Sequence, residues 1–286
     1  MTFRTLIATD ALAARLGDPA VAIVDCRYKL EDESWGRSEY EAGHVPGAVY
    51  AHLGHDLAGV KTGQNGRHPL PAVDALSRTF SRMGVGAGVQ VVAYDQDTGM
   101  FASRLWWLLR WLGHDAVAVL DGGFAKWRAE KRPTEAGEEK RAAADFRGAV
   151  RTNQVVTAQD VAAVSRKPDW QVIDARGPER FRGETEPIDR VAGHIPGASN
   201  HFIKWNLTDA GTFRSPEELR AQWTSATGDV AADHVVCYCG SGVSACHNLL
   251  ALEHAGIHGA RLYPGSWSEW SSDPSRPIET GESKKK

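Results

Sequence analysis

The chain repeats itself. AIVDCRY at 22–28 returns as QVIDARG at 171–177, and EAGHVPGAVY at 41–50 as VAGHIPGASN at 191–200. VVAYD at 91–95 returns as VVCYC at 235–239, and LGHDAVAVLDGGFAKW at 112–127 as AGIHGARLYPGSWSEW at 255–270. The spacing between copies drifts by only a few residues, as expected when loops vary within a shared fold. The sequence therefore has to describe one domain built twice, and 286 residues accommodate two domains of ordinary size. RAEKRPTEAGEEKRAAADFRG at 128–148 is charged and poor in large apolar residues, which marks the join. The expected division is a first domain over 1–132, a linker over 133–152 and a second domain over 153–286.

Within each copy, short apolar runs alternate with helical patterns. In the second copy the runs are WQVIDAR, HVVCYC and ARLYPG, rich in Val and Ile and apolar on both faces, as buried parallel strands are. TAQDVAAVSRK carries a capping-box pattern in Thr157 and Asp160. SPEELRAQW carries another in Ser215 and Glu218, with Pro216 at the first helical position. This alternation predicts an α/β fold, each copy a mostly parallel sheet flanked by helices. Ligands of such sheets sit beyond the carboxyl ends of the strands. Cys239 stands at that end of VVCYC. The run SRLWWLLRWLG reads as a buried helix face rather than a cofactor box.

The stretch VVCYCGSGVSACHN poses the chemical question. Gly240 and Gly242 allow a sharp turn, whose successive N–H groups form a nest for an anion. A helix beginning near Ser244 adds the positive end of its dipole. A thiolate at Cys239 is favoured by such a cradle, which should lower its pKa, and a persulfide anion is held equally well. Other readings compete. Zinc held by Cys237, Cys239, Cys246 and His247 lacks the paired spacing of structural sites. A phosphate-binding Cys-x5-Arg loop needs an arginine where Ala245 stands. A buried thiol on a glycine turn is the plain alternative for Cys239, and the preferred one for Cys26, Cys237 and Cys246.

Composition narrows the partners. A net charge of −3 argues against a general nucleic-acid binder. No apolar run approaches the roughly 18–20 residues of a membrane span, and MTFRTLIATDALAARLG does not read as a signal peptide. Four cysteines without framework spacing suit a reducing, cytoplasmic setting.

The two GH[IV]PGA segments, with a CGSGVSA loop only in the second copy, resemble the two-domain rhodanese-type sulfurtransferases over nearly the whole chain. The resemblance implies a non-catalytic first copy, whose loop Asp95–Ala102 is one residue longer and has no thiol, and which helps wall the cleft. It implies sulfur transfer through a Cys239 persulfide, with no metal or organic cofactor. Thiosulfate-type members place Arg-Lys after the cysteine. Gly240-Ser241-Gly242-Val243-Ser244 is similar instead to the mercaptopyruvate type, with Ser244 in place of the usual threonine. Either hydroxyl can cap the following helix. The donor implied is 3-mercaptopyruvate, with thiosulfate or a non-enzymatic persulfide carrier as alternatives, and the acceptor a thiol such as thioredoxin, or cyanide.

In RGPERFRGETEPIDRVAGH, Arg180 matches the family's substrate-binding arginine. Arg190 is the second candidate, in a stretch one residue longer than the family's, and Arg182 competes with it. A carboxylate favours arginine's planar fork. GRHPLP at 66–71 resembles the segment whose histidine faces the catalytic loop. His68 is thus a candidate proton relay to Ser241 and Cys239, with Asp56 fixing its tautomer. His44 and His194 are expected to lock the GH-x-PG turns through local hydrogen bonds.

Overall fold

The computed structural model describes residues 2–282, which form two compact units. The first comprises the chain up to Gly59, Leu70–Arg151 and Asp209–Phe213. The second comprises Val60–Pro69, Thr152–Thr208 and the chain from Arg214 on. Each unit thus incorporates a short segment of the other repeat, and the second unit thereby acquires Arg67 and His68.

The first unit is built on five parallel strands, β1 (Leu6–Ile7), β2 (Val21–Asp25), β3 (Ala48–Tyr50), β4 (Gln90–Tyr94) and β5 (Val117–Leu120), in the order β1-β5-β4-β2-β3. The second has β6 (Gln171–Asp174), β7 (Ser199–Asn200), β8 (Val235–Tyr238) and β9 (Arg261–Leu262), in the order β7-β6-β8-β9, again all parallel. A parallel bridge from Val155 to Leu262 stands where β1 pairs in the first unit, so the two topologies coincide. β2, β4, β5 and β8 are buried at every position, which is why their sequences are apolar throughout rather than alternating.

Both capping boxes form, Thr157 with Asp160 and Ser215 with Glu218, heading helices Ala158–Val164 and Pro216–Thr227. The tryptophan-rich helix Met100–Trp111 is buried from Ala102 to Leu109, even at Arg104. His44 and His194 do not bond across their turns. Each turns its Nδ1 to a carbonyl of the preceding helix, Tyr40 O at 2.7 Å and Phe181 O at 2.8 Å, and stacks on that residue's ring. Residues 133–151 run along the first unit: Glu135 pairs with His44, Ala144 N donates to Ser81 O, and the Phe146 side chain is buried. No helix among the described residues is long and apolar enough to cross a membrane.

In the second unit, helix Ser244–His254 is held by a buried polar ring. His201 Nε2 donates to Asn206 Oδ1, Asn206 Nδ2 donates to Asn248 Oδ1 at 2.8 Å, and Asn248 Nδ2 donates to His201 O at 2.8 Å. The His201 imidazole is stacked on Trp223, and burial pulls its pKa down to about 4, with the Asn206 bond opposing. Below pH 6.5 the unfolded chain gains a proton at His201 that the folded chain refuses. Its contribution is therefore intact above pH 6.5 and lost progressively towards pH 4, by about 3 kcal/mol. His201→Gln should be less stable than wild type at pH 7.5, with the gap narrowing as pH falls to 4.5. Urea midpoints across that range test it, and a constant gap would acquit His201.

Candidate active site

Strand β8 ends at Tyr238, and Cys239 opens the turn that leads into helix Ser244–His254. The chain beyond β9 holds this turn in place. Trp267 N donates to Cys239 O and Ser268 N to Gly240 O, each at 2.9 Å, while Cys239 N donates to Ser266 Oγ at 3.1 Å. Gly242 adopts φ +76°, and a Cβ there would collide with the backbone carbonyl of Pro264. Its N–H points back at the Cys239 sulfur, 3.1 Å away. Cys239 is 1% exposed. Val243 occupies the cap position and Ser244 the first helical one, with no side-chain cap bond, so neither hydroxyl-bearing residue of the loop closes off the helix N-terminus. Among the helix's first N–H groups, Cys246 N donates to Val243 O at 3.0 Å, and none is closed by a side-chain cap.

The first repeat shows what such a turn holds. Phe124 N donates to Asp95 O and Ala125 N to Gln96 O, the same clamp that fixes Cys239 and Gly240. At the position of the thiol, the Asp95 carboxylate receives N–H bonds from Gly99 at 2.9 Å, Phe101 at 2.7 Å and Ala102 at 3.2 Å. The first repeat thus carries a built-in carboxylate in its nest. Burial still raises the Asp95 pKa to about 6, against these three bonds.

Ser241 is buried, and its Oγ shares a 2.8 Å hydrogen bond with Nδ1 of His68, also buried. Arg180 lies on the short helix Pro178–Phe181 and reaches over the turn, with both terminal nitrogens 3.8 Å from where a Gly240 Cβ would sit. Its guanidinium donates to Glu186 Oε1 at 2.6 Å and to Asp189 Oδ2 at 3.4 Å. Arg182 pairs with Glu184.

The two remaining sequence candidates are Arg190 and Asp56. Arg190 is exposed and has no hydrogen bond or ion pair among the described residues. The extra residue in its stretch leaves Asp189, not an arginine, facing the site, because Glu186 Oε1 accepts the N–H groups of Ile188 and Asp189 and curls the loop inward. Asp56 belongs to the first unit, where its carboxylate accepts His52 N–H at 2.9 Å and pairs with Arg82.

Arg67 and Ser266 were not singled out by sequence reasoning. Arg67 adjoins His68, and a cation beside a candidate relay was the available signal. Ser266 holds φ +55°, where the first repeat has Gly123 at φ +58°. A side chain kept in the left-handed region, which costs about 1–2 kcal/mol, points to a duty for its hydroxyl. That duty is accepting the Cys239 N–H.

The remaining cysteines are packing residues. Burial pushes the Cys26 and Cys237 thiols up, and Cys246 donates its S–H to Gly242 O at 3.3 Å. Among the described residues, the side chains spaced to hold a metal ion are Glu33 with His52 and His55, and His44 with Glu135 and Glu139, without a cysteine. A cavity of about 870 Å³ lies in the first unit beside Tyr50, His52 and Lys140, also without a cysteine, and among its lining ions Arg37 pairs with Glu138 and Arg82 with Asp56.

The duplicated parallel-sheet fold thus presents a thiol on the turn of one copy and a carboxylate on the matching turn of the other. The Rhodanese-like domain family matches residues 8–130 and again 157–273, and the chain belongs to that family. It is 45% identical over 284 residues to a probable 3-mercaptopyruvate sulfurtransferase of Pseudomonas aeruginosa, covering 99% of this chain and all of that one. It is 40% identical to a putative thiosulfate sulfurtransferase, SseB, of Mycobacterium tuberculosis, covering 97% and 98%. The crystal structure of SseA from Escherichia coli, presented as a rhodanese fold of 3-mercaptopyruvate sulfotransferases, superimposes with a TM-score of 0.80 at 31% identity, over 93% of this chain and 99% of that one.

Proposed function

We propose that the protein is a 3-mercaptopyruvate sulfurtransferase. The observation that carries this is the buried Ser241–His68 hydrogen bond beside the thiol. A neutral ketone is polarised by a hydroxyl and backbone donors, and here those are Ser241 and the amides of Gly240, Gly242, Val243 and Ser244. Arg180 binds the substrate carboxylate. The Cys239 thiolate attacks the substrate sulfur, an S–S bond forms, and the C–S bonding pair leaves on the three-carbon fragment as the pyruvate enolate. The enolate takes up a proton, with His68 as relay, and Cys239 keeps the persulfide in the Gly242 cradle. A thiol such as thioredoxin, or cyanide, then attacks the terminal sulfur and returns the thiolate. Two covalent half-reactions give ping-pong kinetics. On this reading the copy over 153–286 is catalytic, the copy over 1–132 is not, and 133–152 joins them. Asp56 supports the first unit's helix start rather than the chemistry. Four free cysteines suit a cytoplasmic enzyme.

Thiosulfate is the second reading, favoured by the M. tuberculosis relative and by the arginines over the turn. Steady-state kinetics with both donors decide between them. A higher kcat/KM for 3-mercaptopyruvate is expected, and a clear preference for thiosulfate would reverse the assignment. Turnover with neither donor, together with sulfur uptake from another protein, would make the chain a persulfide carrier.

A further inference from the structure

Arg67 comes from the first repeat's GRHPLP segment yet belongs to the second unit. Its N–H donates to Ser268 Oγ at 3.0 Å, which ties it to the same stretch that clamps Cys239 and Gly240. Gly66 before it packs so tightly that a Cβ would lie 2.7 Å from Gly265 O. The Arg67 side chain ion-pairs with Asp189, and its Nη2 lies only 2.7 Å from where a Gly240 Cβ would sit. Both terminal nitrogens of Arg180 lie 3.8 Å from that same point. Two guanidinium groups thus converge on the residue following Cys239, each touching one oxygen of Asp189.

The carboxylates around them differ in kind. Glu186 is fastened by Arg176, by Arg180 and by two backbone N–H groups. Burial works to raise its pKa, but those bonds prevail and leave it below the ordinary range. Asp189 is held by Arg67 and by a long 3.4 Å contact to Arg180, and burial raises its carboxyl above the ordinary value. One acid is therefore a fixed anchor and the other an unfavourably buried stand-in.

We propose that Arg67 is the second anion-binding arginine of the active site, paired with Arg180, and that Asp189 is an internal counter-ion which a substrate carboxylate displaces from both. This rests on the mercaptopyruvate reading and names its second anchor. The arrangement keeps two half-buried cations neutralised while the site is empty. It also makes a carboxylate of the right reach the preferred replacement, since a guanidinium fork is matched bidentately by a carboxylate. A substrate lacking the carboxylate gains nothing from displacing Asp189, so the pair determines specificity as well as affinity.

The test compares wild type, Arg67→Ala, Arg67→Lys and Asp189→Asn with 3-mercaptopyruvate and with its methyl ester. Arg67→Ala should raise KM for the acid about 10- to 50-fold, the scale of a lost charge-assisted pair, with kcat changed only a few-fold. KM for the ester should barely move. Arg67→Lys should recover part of the loss, and Asp189→Asn should lower KM for the acid. An Arg67→Ala variant with unchanged KM, or with acid and ester weakened equally, overturns the proposal. Binding of pyruvate separates this from the reaction itself. If wild type binds pyruvate and Arg67→Ala binds it at least about 10-fold more weakly, the clamp stands even where mercaptopyruvate is not turned over, and only the donor assignment fails. Wild type that does not bind pyruvate, or Arg67→Ala that binds it equally well, sinks the clamp.

Discussion

Cys239→Ser removes sulfur transfer, with an expected fall in kcat on the order of 10⁶-fold, the scale seen when a covalent nucleophile is deleted. A serine oxygen fits the space of the sulfur and still accepts the Gly242 N–H, so the variant should fold and melt close to wild type. It cannot carry a persulfide, because the step requires an S–S bond. No other thiol is placed to take over: Cys26 and Cys237 are buried with raised pKa values, and Cys246 is turned to Gly242 O. Intact mass after exposure to 3-mercaptopyruvate gives the direct readout, one added sulfur atom in wild type and none in the variant. Retained turnover in Cys239→Ser would remove the basis of the whole mechanism.

Part of the site is legible in the sequence, because the repeat carries its local geometry. The repeat aligned Asp95 with Cys239, and the structure gives both the same backbone clamp. Local signals read well: Thr157 with Asp160 and Ser215 with Glu218 form their caps because partners three residues apart meet whatever else the chain does. The strand-to-helix turn at Cys239 is legible for a similar reason, since strand end, glycines and helix start are contiguous. The sequence is less legible where a side chain sets a loop's path or where partners are distant. Arg190 follows from resemblance to the family's segment, but the loop's path here is set by a side chain, Glu186, capturing two backbone N–H groups. Arg67 lies more than a hundred residues from Asp189, and only the folded unit unites them. Ser266 was visible as a serine opposite Gly123, but a positive φ is not written in composition. The linker expected over 133–152 bonds to the first unit through its backbone and Arg141, at Ser81 O and Val21 O.

Gly242→Ala should damage stability and chemistry together. Its φ of +76° lies where an L-residue costs about 1–2 kcal/mol. An added Cβ would also overlap the Pro264 carbonyl oxygen and lie 3.0 Å from both its carbonyl carbon and Cα. Those are backbone atoms of the segment leading to Ser266, Trp267 and Ser268, so they cannot give way as a flexible side chain would. Moving them shifts the three residues that hold Cys239 and Gly240 through N–H bonds and the Ser266 hydroxyl. The expected stability loss is about 2–4 kcal/mol, the strain of the left-handed region plus that of overpacking a close-packed contact. The Gly242 N–H would leave its 3.1 Å contact with the sulfur, so the anionic thiol and persulfide lose a donor. Removing one such preorganised donor costs about 10²- to 10³-fold in kcat in a comparable anion hole. Gly211, at φ +77° with nothing near its Cβ position, is the control. Gly211→Ala carries the backbone strain without the overlap, so urea unfolding should find it 1–2 kcal/mol less stable with kcat preserved. Equal effects of the two substitutions on kcat would mean that the Gly242 cradle does not stabilise the sulfur anion.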